Sequence, residues 1–513
     1  MSDPTALVPL AQAEAVQASP GRPGPGPAGP DQTLLRRLPA VSQLAEDRCL
    51  TDLCLPTHLR ALLAREAVAA TRAAILRGDL SSAAAIALHC DSELRSRAKL
   101  LSEPSLRPVL NGLGVLLHTN AGRAPLPRQA LQAALHAVSG YNALEISMAT
   151  GNRGSRQDHC RPLLRWLSGA QDALVVNNGA AAILLALKAV AHGRPVLVSR
   201  GELVEIGGGF RVPDVMEASG AQLREVGTTN RTHLHDYERE LQRLSDLGTP
   251  AAAVLQVHRS NFAVVGFEAH PQLADLAALA KRFGAAMIVD LGSGALGELP
   301  VRPAPLPDGS LPDPEPTLAA VVAAGADAVT CSGDKLIGGP QAGLIVGRTE
   351  LLARMNRDPL ARALRCGSLV LATLQQVLRL HLLGEIEQIP PLRQLSISEG
   401  EIDSLAQFWA GQLRPLLPRG WRVDLAPAVT QVGGGTHPLL VLPSRALGLW
   451  APGLSAEQLG EKLRGAALPV LGRPRGELLW LDVRSLQAGQ GDRSDAQLLA
   501  LIAQAASAAA ADK

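Results

Sequence analysis

A single lysine stands among small residues in the segment 331–343, whose sequence is CSGDKLIGGPQAG. Apolar runs at 326–330 and 343–347 flank this segment, so Lys335 is predicted to lie on a tight turn between two buried strands. Burial penalises the charged form of an amine and lowers its pKa. The neutral amine is the nucleophile that a Schiff-base lysine requires, and an ordinary surface turn is the alternative interpretation.

Two other predicted strands end on residues that suit a cofactor with a ring and a phosphate. Asp290 ends the strand predicted at 285–290, where its carboxylate can keep a pyridinium nitrogen protonated. Asn178 lies between a predicted strand and the helix predicted at 181–190, whose first N–H groups can bind a phosphate. With Lys335 as the amine that binds an aldehyde, these positions predict a site for pyridoxal 5′-phosphate.

Two arginines near one another in the sequence suggest an anion site, and a third lies in a separate polar cluster. Arg362 and Arg365 are three residues apart in a region predicted to be helical, 349–384, and would share one helix face. Two guanidinium groups suit an anion with several oxygens, although salt bridges to neighbours would explain them equally well. Arg123 follows an apolar run that predicts strand, turn and strand, and its polar cluster is typical of an α/β site or of an ordinary loop.

The fold class follows from strand and helix signals that alternate through the middle of the chain. This alternation predicts an α/β domain with a mostly parallel sheet and helices on both faces. Residues 302–316 are rich in proline and acidic residues and are predicted to form a surface insertion. Four regions are predicted: a disordered Pro/Gly/Ala-rich tail at 1–32, a helical domain at 33–106, a large α/β domain at 107–388, and a small C-terminal α+β domain at 389–513.

The helical domain carries arginines with two possible functions. Arg60, Arg65, Arg72 and Arg77 lie along one predicted helix. They could form a solvated face balanced by acidic residues, or they could contact a phosphate backbone.

Composition narrows the class of protein without identifying a partner. The chain has 513 residues and a formal net charge of +2, so bulk charge neither favours nor excludes nucleic acid. The six cysteines have no metal-site spacing and are predicted to be reduced thiols. No long uncharged apolar run and no secretory signal is recognised, so we expect a cytoplasmic protein without membrane or metal sites.

Several motifs resemble one family closely. They are the block at 109–126, which contains His118-Thr119-Asn120, SRGELVEIGG at 199–208, VGTTNRT at 226–232 and SGDK at 332–335. These blocks are similar to the bacterial selenocysteine synthases, the L-seryl-tRNA(Sec) selenium transferases. The resemblance covers about 34–500 and implies a type I aminotransferase-like fold in which Lys335 binds pyridoxal phosphate. It also implies that Asp290 contacts the ring nitrogen, Asn261 the ring hydroxyl, and Ser332 and Asn178 the phosphate.

The resemblance also implies an activity. Enzymes of this family convert seryl-tRNA(Sec) to selenocysteinyl-tRNA(Sec) through aminoacrylyl-tRNA, with selenophosphate as the selenium donor. Arg123, Arg362 and Arg365 match family arginines that hold the donor's phosphate. The helical N-terminal domain would bind tRNA, and the subunits would assemble as a ring of dimers. Gly367-Ser368 stands where the family usually has Asp-Lys.

Two other functions are compatible with the same residues. One is a pyridoxal-dependent lyase or aminotransferase that acts on free amino acids or amino sugars without tRNA. The other is an RNA-binding relative that retains the fold and has no enzymatic activity.

Overall fold

A computed structural model describes residues 32–206, 209–260, 262–264, 266–305, 313–488 and 493–511. Two compact units make up the chain, with the division between Arg107 and Pro108. The tail predicted at 1–32 lies outside the described residues, except that Gln32 begins the first helix. The domain boundary predicted at 388/389 stays a prediction.

The first unit is helical, and a hairpin of two long helices forms its core. Leu63 and Ala67 of one helix and Cys90 and Leu94 of the other are buried in one apolar cluster. The second long helix begins at Ser82, whose hydroxyl accepts a hydrogen bond from the N–H of Ala85 at 3.2 Å. The helices are α1 Gln32–Leu35, α2 Val41–Ala45, α3 Arg48–Thr51, α4 Thr57–Leu76 and α5 Ala83–Ser102.

Of the four arginines on α4 and at its C-cap, two are paired with acidic residues and two are exposed. Arg60 forms an ion pair with Glu46 at 2.9 Å, and Arg77 forms one with Asp79 at 2.8 Å. Arg65 and Arg72 are exposed, and no ion pair joins either of them to another described residue. These two arginines therefore remain available to a polyanion.

A seven-stranded sheet organises the second unit. The strand order is β2-β10-β9-β8-β7-β3-β6, and all neighbours are parallel except those of β10. The strands are β1 Leu110–Asn111, β2 Asp172–Val176, β3 Pro195–Ser199, β4 Glu205–Ile206, β5 Phe210–Arg211, β6 Gln222–Val226, β7 Ala253–Val257, β8 Ala286–Gly292, β9 Ala328–Ser332, β10 Gly343–Gly347, β11 Arg422–Gly433, β12 Thr436–Trp450, β13 Val470–Leu471, β14 Arg473–Arg475 and β15 Leu478–Asp482.

Side chains of this sheet alternate between two apolar clusters, one on each face. On β3, Leu197 belongs to one cluster, and Val196 and Val198 belong to the other. Helices cover both faces, as the α/β pattern predicts. The helices of this unit are α6 Arg128–Val138, α7 Arg161–Ser168, α8 Gly179–Ala191, α9 Val212–Ser219, α10 Leu234–Asp246, α11 Leu273–Arg282, α12 Leu318–Ala323, α13 Thr349–Arg357, α14 Pro359–Ala363, α15 Ser368–Leu383, α16 Pro390–Ser396, α17 Glu399–Leu413, α18 Ala456–Arg464, α19 Val483–Ala488 and α20 Asp495–Ala511.

The C-terminal part has the predicted α+β character. A four-stranded antiparallel sheet in the order β11-β12-β15-β14 packs against α17, α18 and α20. The short strands β1 and β13 pair in parallel as a separate two-stranded sheet, which joins the start of the second unit to its C-terminal part.

Two predicted elements differ from the structure. The long helical region predicted at 349–384 is divided into three helices, because Asp358 caps α14, Pro359 begins it, and this helix ends before Arg365. In the block 109–126 the second predicted strand is wrong, since only Val115 makes a single bridge, to Gln431. None of the helices in the described residues is both long and apolar enough to cross a membrane.

One close approach between backbones generates a stability prediction. A Cβ on Gly343 of β10 would lie 1.9 Å from the carbonyl oxygen of Asn178. We expect Gly343→Ala to lower the midpoint of thermal unfolding, because overpacking against a backbone atom typically costs about 1–3 kcal/mol. Gly411 in α17 is the matched control, because a Cβ there meets no heavy atom within 4 Å.

For Gly411→Ala we expect a small increase in the unfolding midpoint, since alanine favours a helix by up to about 1 kcal/mol over glycine. Scanning calorimetry of both variants checks the pair. An unchanged midpoint for Gly343→Ala would contradict the tight contact between β10 and Asn178.

Candidate active site

Lys335 lies on the turn between β9 and β10, and its predicted position there is confirmed. The residue is only 6 % exposed. Burial lowers the pKa of its amine, and the charge of Asp290 opposes that shift. A buried amine that loses its proton readily can act as both a nucleophile and a base.

Asp290 lies on β8, on the strand next to the one that precedes Lys335. The hydroxyl of Thr330, its register partner on β9, donates a hydrogen bond of 2.8 Å to the Asp290 carboxylate. Burial raises the pKa of Asp290, and Thr330 and Lys335 lower it. A cationic ring N–H beside this carboxylate would stabilise its ionised form. The strand continues to Gly292, two residues beyond its predicted end, through an irregular pairing with β9.

Asn178 and Ser332 meet at the start of helix α8. The Asn178 side chain caps this helix by accepting a hydrogen bond of 2.8 Å from the N–H of Ala181. A Cβ on Gly179 would lie 2.5 Å from the Ser332 hydroxyl, so the two segments are in contact. The other N–H groups of the first turn and the Ser332 hydroxyl form a cradle that suits a phosphate.

A second glycine of the site, Gly292, lies beside Lys335 and has a left-handed backbone conformation with φ of 70°. A Cβ on Gly292 would lie 3.4 Å from the Ser260 hydroxyl and 3.9 Å from the Lys335 amine. Ser260 is 1 % exposed, and its hydroxyl has no hydrogen-bond partner among the described residues. Buried hydroxyls are normally satisfied, so this group is suited to a ligand. Asn261, predicted to contact the ring hydroxyl, lies outside the described residues.

These residues fit pyridoxal phosphate. The carboxylate of Asp290, the amine of Lys335 and the cradle at the start of α8 supply one group for each polar end of the cofactor. The unpartnered hydroxyl of Ser260 is a further polar group beside the lysine.

Asp334, the residue before Lys335, holds Arg123 beside the lysine. Its guanidinium donates a hydrogen bond of 2.7 Å to Asp334, and its backbone adopts a left-handed conformation with φ of 60°. The cluster that contains Arg123 does not follow a strand of the main sheet. It includes a short 3-10 helix, Thr119–Ala121, which His118 caps.

Arg362 and Arg365 line one cavity of about 370 Å³, although they do not share a helix. Arg362 lies in α14, and Arg365 lies in the segment that follows it, so the prediction of one helix face is wrong. Five arginines and two carboxylates line the cavity and give it an excess of positive charge: Arg153, Arg156, Arg357, Arg362, Arg365, Glu145 and Asp358. Arg123 is not among the described residues that line it.

Glu145 is the acidic partner of these arginines. Its carboxylate accepts hydrogen bonds from Arg156 at 2.6 and 2.9 Å and lies 3.8 Å from Arg365. The hydrogen bonds of Arg156 are the main reason that the pKa of Glu145 is lowered. Glu145 therefore neutralises part of the positive charge of this cavity.

Sequence reasoning missed several of these residues. The spacing of Arg153 and Arg156 is the same as that of Arg362 and Arg365, and this repeated signal could have identified them. Thr330 could be found only once the register of β8 and β9 was known. Gly367 and Ser368 form the start of α15, at the N-cap and first helical position.

Comparisons with known proteins point to one family. A family model described as L-seryl-tRNA selenium transferase matches residues 109–487. The chain is 44% identical over 462 residues to the L-seryl-tRNA(Sec) selenium transferase of Geobacter metallireducens, covering 89% of this chain and 96% of that relative. It is 42% identical over 464 residues to the enzyme of the same name from Moorella thermoacetica, with coverages of 90% and 95%.

One solved structure supports the fold. D-glucosaminate-6-phosphate ammonia-lyase has a TM-score of 0.52 and 20% identity, and the match covers 80% of this chain and 99% of that chain. At this level of identity the similarity concerns the fold alone. The predicted type I aminotransferase-like fold is confirmed.

The position of Glu145 generates a binding prediction. We expect Glu145→Gln to bind inorganic phosphate roughly fivefold more tightly, because removing a nearby negative charge reduces repulsion of an incoming anion. Titration calorimetry at low ionic strength measures the dissociation constant. The matched control is Glu240→Gln, since Glu240 also pairs closely with an arginine, Arg243 at 2.7 Å, outside this cavity. Weaker phosphate binding by Glu145→Gln would instead show that the carboxylate mainly positions the arginines.

Proposed function

Because this chain belongs to the L-seryl-tRNA selenium transferase family, we propose that it converts seryl-tRNA(Sec) to selenocysteinyl-tRNA(Sec) with pyridoxal 5′-phosphate as cofactor. The proposed reaction passes through aminoacrylyl-tRNA and uses selenophosphate as the selenium donor. The observation that carries the proposal is the buried Lys335 amine, which lies close to Asp290 and beside a phosphate cradle.

Four described side chains would hold the cofactor. Lys335 would bind the aldehyde carbon, Asp290 the ring nitrogen, and Asn178 and Ser332 the phosphate at the start of α8. Thr330 would fix the orientation of the Asp290 carboxylate through its 2.8 Å hydrogen bond. Asn261 remains the proposed partner of the ring hydroxyl.

Pyridoxal phosphate, when bound, supplies an aldehyde that amines attack and a ring that accepts negative charge from the adjoining carbon. Lys335 Nζ would take the proton from the seryl Cα. The lowered pKa of Lys335 supports this assignment, because a larger fraction of the amine is free to accept a proton near neutral pH. Loss of the β-hydroxyl from the seryl group would follow.

The cavity that contains Arg362 and Arg365 is the proposed site of the selenium donor. Guanidinium groups bind phosphate oxygens in pairs, and the excess of positive charge favours a multiply charged anion over a neutral molecule. Arg123, held by Asp334 beside Lys335, is the third proposed donor residue. Here Glu145 would be the group that the donor displaces.

The partners of the whole protein are also proposed. The helical unit would bind tRNA, and exposed Arg65 and Arg72 on α4 suit a phosphate backbone. The proposed assembly is a homo-oligomer built as a ring of dimers. Large apolar side chains of the second unit that are more than half exposed support the existence of subunit contacts, including Tyr141, Met148, Trp166 and Leu383.

The product of the reaction tests the function directly. Pyridoxal-loaded protein, seryl-tRNA(Sec) and selenophosphate should yield tRNA esterified with selenocysteine, as identified by mass spectrometry after deacylation. We expect Lys335→Ala to abolish this product together with the cofactor's visible absorbance, and Lys281→Ala, on the exposed side of α11, to retain both. Serine recovered unchanged from the tRNA, with free amino compounds shifting the absorbance instead, would support a lyase or aminotransferase.

The donor site generates a prediction that separates two steps. We expect Arg362→Ala to spare formation of aminoacrylyl-tRNA and to slow selenium addition roughly 10- to 100-fold, because a charge-assisted hydrogen bond contributes about 1.5–3 kcal/mol. Single-turnover measurements with and without selenophosphate resolve the steps. Arg379→Ala, exposed on α15, is the control. Equal loss of both steps would refute the assignment of this cavity to the donor.

A further inference from the structure

A second cavity, of about 340 Å³, lies beside the carboxyl ends of β7 and β8. Val289 and Leu291 of β8, Leu273 of α11 and Leu439 of β12 form part of its wall. These β8 residues belong to the apolar cluster on one face of the sheet, and neither Asp290 nor Lys335 lines the cavity. It is therefore separate from the cradle that suits pyridoxal phosphate.

This cavity contains buried polar atoms that lack a partner. Glu315 is 8 % exposed, and its Oε1 has no hydrogen-bond partner among the described residues. The Nδ1 atom of His258 is likewise buried without a partner within the described part of the chain. Leaving such atoms unsatisfied is costly, and both residues line the same cavity, so their arrangement points to a ligand with hydrogen-bonding groups.

The chemistry of the lining restricts the class of ligand. Glu202, Glu268 and Glu315 contribute carboxyl groups, and Arg259 is paired with Glu268 at 3.0 Å. In contrast to the arginine cavity, the described residues that line this cavity provide no excess of positive charge to attract a phosphate or another anion. Apolar side chains form much of the remaining wall, including Phe262, Val264, Leu273 and Leu439. Apolar walls with a few polar groups suit an uncharged planar ligand that carries hydroxyl and amino groups.

The cavity is also close to the reacting amine. Ser260 follows the cavity residue His258 by two positions. A Cβ placed on Gly292 would lie 3.4 Å from the Ser260 hydroxyl and 3.9 Å from the Lys335 amine, so Ser260 and Lys335 are near one another. Burial lowers the pKa of His258 and raises that of Glu315, and the positive charge of Lys335 lowers the pKa of both by a smaller amount. In an aminoacyl-tRNA only an ester linkage separates the amino acid from the terminal ribose. The nucleoside must therefore lie next to the site at which the amino acid reacts.

We propose that this cavity binds the terminal adenosine of the seryl-tRNA, with His258 and Glu315 hydrogen-bonded to its hydroxyl and amino groups. The inference rests on the proposed function, because it assumes that an aminoacyl ester reacts at Lys335. In this proposal the apolar side chains of Phe262 and Leu273, which line the cavity, would contact the adenine base.

The test compares two ligands that carry the same seryl amine. Full-length protein loaded with pyridoxal phosphate is titrated with 3′-deoxy-3′-(L-serylamino)adenosine and with L-serinamide, and both dissociation constants are measured by calorimetry. We expect the adenosine compound to bind at least tenfold more tightly than L-serinamide. Two hydrogen bonds and the burial of a base would account for a difference of that size.

Variants of cavity residues then test whether the difference in affinity between the two ligands arises in this cavity. We expect Glu315→Gln and His258→Asn each to reduce the ratio of the two dissociation constants several-fold, and Leu273→Trp to reduce it by filling the space. Glu461→Gln, exposed on α18, should keep the wild-type ratio. Equal affinities of the wild-type protein for the two ligands would overturn the inference and leave the proposed function standing. Failure of both ligands to bind would refute the proposed function as well.

Discussion

A buried amine close to a buried carboxyl group governs the chemistry of this site. Burial disfavours the charged forms of both Lys335 and Asp290, and each charge partly stabilises the other. Such a pair is costly to maintain unless a ligand uses both groups. A cofactor with an electrophilic carbon at one end and a ring nitrogen at the other would satisfy them together.

The parallel sheet makes this arrangement possible. Strands β8 and β9 are adjacent and parallel, so their carboxyl ends deliver Asp290 and the turn that carries Lys335 to the same edge. Strand β10 returns antiparallel between β9 and β2 and brings Gly343 against Asn178. The start of α8 is thereby held next to Ser332. The protein also contains two cavities with different charged groups, one rich in arginine and one rich in carboxyl groups.

Much of this arrangement could be predicted from the sequence, because apolar runs mark the buried strands and functional residues follow them. The turn at Lys335 and the strand positions of Asp290 and Asn178 were accessible in this way. Contacts between distant segments were not. The pairing of Thr330 with Asp290 depends on strand register, and the contact of Glu145 with Arg365 depends on how two loops fold together.

One wrong prediction had a signal in the sequence that was overlooked. The pair Asp358-Pro359 is a helix break and a helix start, yet helical spacing on both sides suggested continuity. The surface insertion predicted at 302–316 stays a prediction, because part of that segment lies outside the described residues. Within it, Glu315 is buried against a cavity wall, which an acidic, proline-rich composition does not indicate.

The most direct test of the account is chemical reduction of the loaded protein. Pyridoxal phosphate is added to the full chain, sodium borohydride is applied, and the peptides are mapped by mass spectrometry. The account predicts a single pyridoxyl adduct on the peptide that contains Lys335. An adduct on another lysine, or a protein that stays unmodified, would contradict it.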